Sequence, residues 1–262
     1  MRAYQLDDTA PINVNQIGKI SRSDSRRRYF RLVSGYPNSH RFVDAEVDAL
    51  RSKVQELISR EIGDFQVVKT HNARITSGGY PVICDKHTAG AVYLVRNPLD
   101  VVDSLADHDG ITVDEAIALM NDPGHHIGHA NGELVTQPLS TWSTHVESWL
   151  TATSFPVLLI RYEDLWADPV AQFSRLIKFL GWPYGLDRIQ RAVQFSSFKS
   201  LKAAEAQHGF SELSARSNSG TFFRRGTSSA WQSVLAPHQV ELVSRDHDSV
   251  MHSLGYDAGE RA

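Results

Sequence analysis

Three short runs of aliphatic and β-branched residues stop abruptly at chemically capable side chains: Phe65-Gln66-Val67-Val68, Ala91-Val92-Tyr93-Leu94-Val95 and Pro156-Val157-Leu158-Leu159-Ile160. Unbroken apolar runs of this length suit strands buried on both faces, as in a parallel sheet. Helical patterns separate or follow them over residues 98–105, 113–120, 139–150 and 170–180. That alternation predicts a three-layer α/β fold around a central parallel sheet. The first 60 residues read as helical and polar. Ser23-Asp24-Ser25-Arg26-Arg27-Arg28 is expected to cap and open one helix, and Val43-Asp44-Ala45-Glu46 begins another that runs through Val54, Leu57 and Ile58 at helical spacing.

The chemistry sits where the runs end. The first ends in Lys69-Thr70-His71, the second in Arg96-Asn97-Pro98 and the third in Arg161-Tyr162-Glu163-Asp164. Open parallel sheets bind ligands outside the carboxyl ends of their strands. Lys plus Arg number 27 against 30 Asp plus Glu, a net charge of -3, so nothing pulls the whole chain toward nucleic acid or anionic membrane. An anion site must therefore be built locally from a few placed cations.

His71 titrates near neutrality and suits a general base, and Lys69 suits an anionic group beside it. The residues alone leave open a strand end that merely meets solvent. Arg96 and Ser104 flank a strand-to-helix turn that suits a phosphate at a helix N-terminus; a structural ion pair of Arg96 with Asp100 or Asp103 is the competing reading. Arg224-Arg225-Gly226 combines adjacent cations with a glycine that permits close backbone approach, or forms a solvated basic turn. His125, His126 and His129 lack the partners of a metal set and are expected to form a solvated loop. The lone Cys84 excludes an intramolecular disulfide and fits a reducing compartment. No run is apolar enough to span a membrane, and the acidic start lacks an apolar signal region, which points to the cytoplasm. The expectation is a single domain over residues 1–262, with residues 106–140 as an inserted lid.

Taken together, the order of these motifs resembles the cytosolic-type sulfotransferases. It comprises Val68-Lys69-Thr70-His71, Tyr93-Leu94-Val95-Arg96-Asn97-Pro98 with Ser104, Trp142-Ser143-Thr144-His145-Val146-Glu147-Ser148-Trp149, Arg161-Tyr162-Glu163-Asp164-Leu165, Ser196-Ser197-Phe198, and Phe223-Arg224-Arg225-Gly226 with Ala230-Trp231. The resemblance covers residues 65–256. It implies a P-loop NTPase-like fold and transfer of a sulfuryl group from 3′-phosphoadenosine 5′-phosphosulfate (PAPS) to an acceptor hydroxyl or amine, without a metal. It implies that His71 is the base and that Lys69 stabilises the transferring group. Arg96 and Ser104 would hold the 3′-phosphate, Tyr162, Ser196 and Phe198 would surround the nucleoside, and Arg224, Arg225 and Gly226 would close over the phosphate. His145 and Trp149 would lie at the acceptor pocket or on its supporting helix. The acceptor stays open among small molecules, glycans and lipids, and homo-oligomerisation stays open too.

The chain departs from the resemblance in small ways at Arg224-Arg225-Gly226, where the family usually has Arg-Lys-Gly, and around Gln232 to Glu241, where its dimer signature is not evident. It departs in a large way at one place. The family's loop resembling Tyr-Pro-Lys-Ser-Gly-Thr-Thr-Trp, which follows the first strand and holds the 5′-phosphosulfate, is not found. Gly35-Tyr36-Pro37-Asn38-Ser39-His40 lacks the lysine and the glycine after it, and reads as a loop. The expectations are a start chosen too late, a missing first strand and an unstable or inactive chain. A non-catalytic nucleotide-binding remnant is the alternative. An ATP-dependent kinase would need a Gly-Lys-Ser/Thr loop, which is absent.

Overall fold

A computed structural model of the chain describes residues 1–5, 7, 13–16, 21–61 and 67–256. The elements begin with α1 (Arg2–Gln5), β1 (Arg22–Ser23), α2 (Arg27–Ser34), α3 (Asp44–Arg60), β2 (Val68–Lys69), β3 (Thr76–Ser77) and β4 (Tyr80–Pro81). Next come β5 (Ala91–Val95), α4 (Pro98–Asp109), α5 (Val113–Met120), β6 (His126–Ile127), β7 (Gln137–Pro138), α6 (Trp142–Leu150) and β8 (Val157–Arg161). The chain continues through α7 (Tyr162–Ala167), α8 (Pro169–Phe179), α9 (Leu186–Phe195), α10 (Phe198–His208) and α11 (Pro237–Ser253). They form two compact units, each from separated stretches: residues 1–20, 92–118 and 158–262 in the first, and residues 21–91 and 119–157 in the second.

In the first unit, β5 and β8 are hydrogen-bonded neighbours. The turn after β5 is set by its own sequence. Asn97 Oδ1 accepts from the Leu99 amide at 3.0 Å, and Pro98 fills the first helical position, where a missing N–H costs nothing. Gly110 ends α4 at φ +66, and a Cβ there would lie 2.2 Å from the Arg216 carbonyl oxygen, so the stop requires glycine. Leu99 and Val102 turn the buried face of α4 inward, against α11 and the helical turn at Trp231. A separate cluster of Tyr4, Ile177, Ile189 and Ala192 joins α1, α8 and α9, with Tyr4 stacked on Trp182 at 6.3 Å.

In the second unit, Val47, Val54 and Ile58 recur at helical spacing and pack α3 against Tyr29 and Phe30 of α2. Arg51 lies on the same side and is 3% exposed, which its charge permits because Asp48 Oδ1 lies 2.9 Å away and the Thr136 carbonyl 2.6 Å away. β1 runs parallel to β2 with Arg22 opposite Val68 and Ser23 opposite Lys69. β3–β4 and β6–β7 are antiparallel pairs.

The helical patterns over 98–105, 113–120, 139–150 and 170–180 correspond to α4, α5, α6 and α8 within a few residues at their ends. The first apolar run contributes only Val68 to β2; its Phe65 and Gln66 lie outside the described residues. The expected cap at Ser23–Ser25 takes a different form. Ser23 belongs to β1, Arg26 occupies the N-cap of α2 without a side-chain hydrogen bond, and Ser25 Oγ donates instead to Asp24 Oδ1 at 3.0 Å. His126 pairs in β6 rather than lying in a loop. Among the described residues, no group of three or more His, Cys, Asp or Glu could hold a metal, and no helix is long and apolar enough to cross a membrane. The segment 106–140 holds the end of α4, α5, β6 and β7, and the boundary between the units passes through it.

Candidate active site

In the first unit the cationic residues gather around α4. Arg96 leaves β5, and its guanidinium lies 4.5 Å over the ring of Tyr162, the first residue of α7. Its Nη2 donates to the Thr227 carbonyl at 3.1 Å, on the loop that carries the two adjacent arginines. The buried Arg96 Nε has no partner among the described residues, a donor left over for an anion. Asp100 Oδ2 is 3.9 Å from Arg96, but both Asp100 oxygens are engaged by the amides of Ser229 (2.8 Å) and Trp231 (3.0 Å). The expected alternative, Arg96 paired to Asp100, is therefore only a long ion pair.

Arg224 and Arg225 do not form a solvated turn. Arg224 Nη2 reaches Asp103 Oδ2 at 2.5 Å and Arg225 Nη1 reaches the same oxygen at 3.1 Å. The loop is held from α10 as well. Glu205 accepts from the Phe222 and Phe223 amides at 2.6 and 2.9 Å, and Lys202 donates to the Arg224 carbonyl at 3.3 Å. Gly226 has φ +60, and a Cβ on it would sit 2.3 Å from the Phe198 ring, so Phe198 packs flush against glycine. Trp166 Nε1 donates to the Gly226 carbonyl at 2.8 Å. Ser104 is exposed on α4 beside Asp103, and Ser196 is exposed at the end of α9, two residues before Phe198. Within the first unit Arg96 thus touches Tyr162 and the Thr227 carbonyl, Gly226 lies against Phe198, and Arg224 and Arg225 meet at Asp103.

In the second unit, Lys69 closes β2 and is exposed, as is His71. His145 and Trp149 of α6 hold the backbone that carries His71. His145 Nε2 donates to the His71 carbonyl at 3.0 Å, and Trp149 Nε1 donates to the Asn72 carbonyl at 3.1 Å. Burial lowers the His145 pKa from its ordinary value, against the raising effect of the bond to His71, so the neutral ring with its proton on Nε2 is favoured. Asn72 is fully buried, and its Nδ2 donates to Thr70 Oγ1 at 2.9 Å and to Ser25 Oγ at 3.4 Å.

That network reaches a feature the sequence reading did not identify. β1, the turn Asp24-Ser25-Arg26 and α2 form a strand, turn and helix, with β1 beside β2. Three successive amides here, from Ser25 to Arg27, are already used. Ser25 N donates to Ser23 Oγ (3.4 Å), Arg26 N to the Ser23 carbonyl (3.4 Å) and Arg27 N to the Glu133 carbonyl (2.9 Å). Asp24 is 5% exposed; burial pushes its carboxyl pKa up, opposed by the hydrogen bond from Ser25 and the charge of Arg51. Asp103, Glu205, Trp166 and Asn72 also went unread, since a carboxylate, an indole or an amide carries no local pattern that announces its distant partner.

The sulfotransferase domain family model matches residues 32–255, beginning after this turn. Sulfotransferase 2B1 of Rattus norvegicus is 29% identical over 171 residues, covering 63% of this chain and 48% of that protein. Human sulfotransferase 2B1 is 26% identical over 203 residues, 74% of this chain and 54% of that protein. Cytosolic sulfotransferase 14 of Arabidopsis thaliana is 28% identical over 67% of this chain and 52% of its own length. The matched stretch thus spans about half the length of these curated relatives. Among solved structures, mouse sulfotransferase SULT7A1 complexed with PAP shares 19% identity with a TM-score of 0.56, covering 94% of both chains. Retinol dehydratase complexed with retinol and PAP shares 17% identity with a TM-score of 0.57, covering 94% of this chain and 72% of that one. These structural likenesses show a shared α/β, P-loop NTPase-like fold. With the family match extending over most of its length, the chain belongs to the sulfotransferase domain family.

Proposed function

We propose that this chain transfers a sulfuryl group from PAPS to the hydroxyl or amine of a small-molecule, glycan or lipid acceptor, by in-line displacement. The reading rests most on the first unit, where Arg96 lies over Tyr162 with a spare buried donor and reaches the loop of Arg224, Arg225 and Gly226. These groups suit a phosphate-bearing nucleotide: guanidinium forks match phosphate oxygens, and Tyr162 and Phe198 offer ring faces to a nucleoside. Ser104 and Ser196 add hydroxyls.

In the second unit, His71 takes the acceptor proton as the acceptor oxygen forms its bond to sulfur. The bond from sulfur to the bridging oxygen breaks, and adenosine 3′,5′-bisphosphate leaves with that oxygen. Lys69 offsets the charge that grows on it. Such transfers pass through loose, charge-rich transition states, so positioning and fixed positive charge supply most of the catalysis. His145 and Trp149 contribute by fixing the His71–Asn72 backbone, so that the base stays in place. A cytoplasmic site of action fits the lone cysteine.

The test is transfer of labelled sulfate from PAPS to a panel of alcohols, phenols, amines and glycans. Transfer that is lost in His71→Ala and Lys69→Met supports the reading; turnover that survives both variants refutes these roles. One observation favours a second reading, a nucleotide-binding remnant that transfers nothing. The turn before α2 offers no unused amide at Ser25, Arg26 or Arg27 and carries a buried carboxylate, a poor cradle for a 5′-phosphosulfate. Tight binding of adenosine 3′,5′-bisphosphate with no transfer to any acceptor would favour that reading.

A further inference from the structure

We propose that Asp103 is a built-in competitor for the phosphate position of Arg224 and Arg225, a carboxylate that occupies the arginine pair when no nucleotide is bound and thereby sets nucleotide affinity. The inference deepens the reading above and rests on it for the identity of the ligand. Asp103 is 8% exposed on α4, and its Oδ2 receives Nη2 of Arg224 and Nη1 of Arg225 together. Its Oδ1 lies 3.4 Å from Arg224 Nη1 and its carbonyl 3.3 Å from Arg224 Nη2. Two guanidinium groups converging on one anionic oxygen is the arrangement a phosphate oxygen would receive.

Asp107 Oδ1 stands 3.5 Å from Arg224 Nη1, so two arginines face two carboxylates and the cluster carries no net positive charge. An anion can enter only by displacing a carboxylate or adding to its field. Asp107 has other work, because it accepts from the Ser219 amide and from the Ser217 and Ser219 hydroxyls. Among the described residues, the hydrogen bonds of the Asp103 side chain all go to the two arginines. The loop itself is fixed independently by Glu205, Lys202 and Trp166, so it stays in place when the Asp103 charge is removed.

Calorimetric titration with adenosine 3′,5′-bisphosphate compares the full chain with Asp103→Asn and Asp103→Ser, with adenosine 5′-monophosphate as the nucleotide lacking the 3′-phosphate. The expected result is about tenfold tighter binding of the bisphosphate in both variants, equivalent to ~1.4 kcal/mol, with binding of the monophosphate unchanged. Equal or weaker bisphosphate affinity overturns the proposal. A ligand-free measurement separates this proposal from the assigned function: phenylglyoxal labelling of Arg224 and Arg225 read by mass spectrometry. Faster labelling in the variants, slowed again by inorganic phosphate, supports the competitor role even if the bisphosphate does not bind; labelling at the wild-type rate refutes it. Should neither variant fold, labelling of wild-type Arg224 and Arg225 as fast as that of the exposed Arg41 refutes it equally.

Discussion

Replacing Asp100 by asparagine should loosen the loop that follows Arg224, Arg225 and Gly226 in the first unit. Asp100 is 2% exposed and divides its two oxygens between the amides of Ser229 (2.8 Å) and Trp231 (3.0 Å). Asparagine keeps the shape but presents one carbonyl oxygen and one NH2 group, so one of those amides faces a donor instead of an acceptor. Leaving a buried donor unpaired costs about 1–3 kcal/mol. Asp100 also lies in the first turn of α4, where a negative charge favours the helix by roughly 0.3–1 kcal/mol. For a chain of this size each kcal/mol moves the melting temperature by about 2–4 °C, so Asp100→Asn should melt roughly 3–15 °C lower. Thr227, the Arg96 partner, sits in the stretch between Gly226 and Ser229, so affinity for adenosine 3′,5′-bisphosphate should fall in parallel. Thermal unfolding by circular dichroism and a calorimetric titration read the two effects. A melting temperature within about 1 °C of wild type, with unchanged affinity, would refute the reasoning that Asp100 ties α4 to this loop.

Three further outcomes are expected. Gly226→Ala forces a side chain into a φ +60 backbone, 2.3 Å from the Phe198 ring, and should cost about 1–3 kcal/mol in chemical denaturation while weakening bisphosphate binding. Arg51→Met strands the buried Asp48 carboxylate and should cost ~3–5 kcal/mol, most of it restored by pairing it with Asp48→Leu; denaturation of the single and double variants checks this. The folded-state pKa of His145 lies below its ordinary 6.5, so the unfolded chain takes up a proton first, and stability from this residue is complete above that pH and declines as pH falls below it. Denaturation between about pH 5 and pH 7.5 should show a shallower loss in His145→Gln, which keeps an N–H for the His71 carbonyl; an identical slope would contradict the assignment.

How much of this was legible follows from how local each signal is. The start of α4 was readable because Asn97, Pro98 and Leu99 settle it among themselves. The α3 face was readable because Val47, Val54 and Ile58 repeat the helical period. The grouping of Arg96, Tyr162 and the Arg224–Gly226 loop followed from a resemblance in motif order; the structure places Arg96 over Tyr162 and against the Thr227 carbonyl. Other features depend on partners far along the chain. Arg224 meets Asp103 across 121 positions, and the Ser25–Asn72 bond spans 47. β1 escaped notice because two residues, Arg22 and Ser23, form it, and neither is apolar. A strand that short takes its conformation from its neighbour β2 rather than from its own composition. His145 and Trp149 were placed at the acceptor pocket or on its supporting helix, and nothing in the sequence signals that their side chains hold the carbonyls of His71 and Asn72.

The account turns on Arg96 as a reader of phosphate on a nucleoside. Equilibrium titration of the full chain with adenosine 3′,5′-bisphosphate and with adenosine 5′-monophosphate, repeated on Arg96→Met, tests this directly. The predicted result is a preference of about a hundredfold for the bisphosphate, ~2.7 kcal/mol, that collapses in the variant. Equal affinity for the two nucleotides in the unaltered chain, or a preference that survives the loss of Arg96, would contradict it.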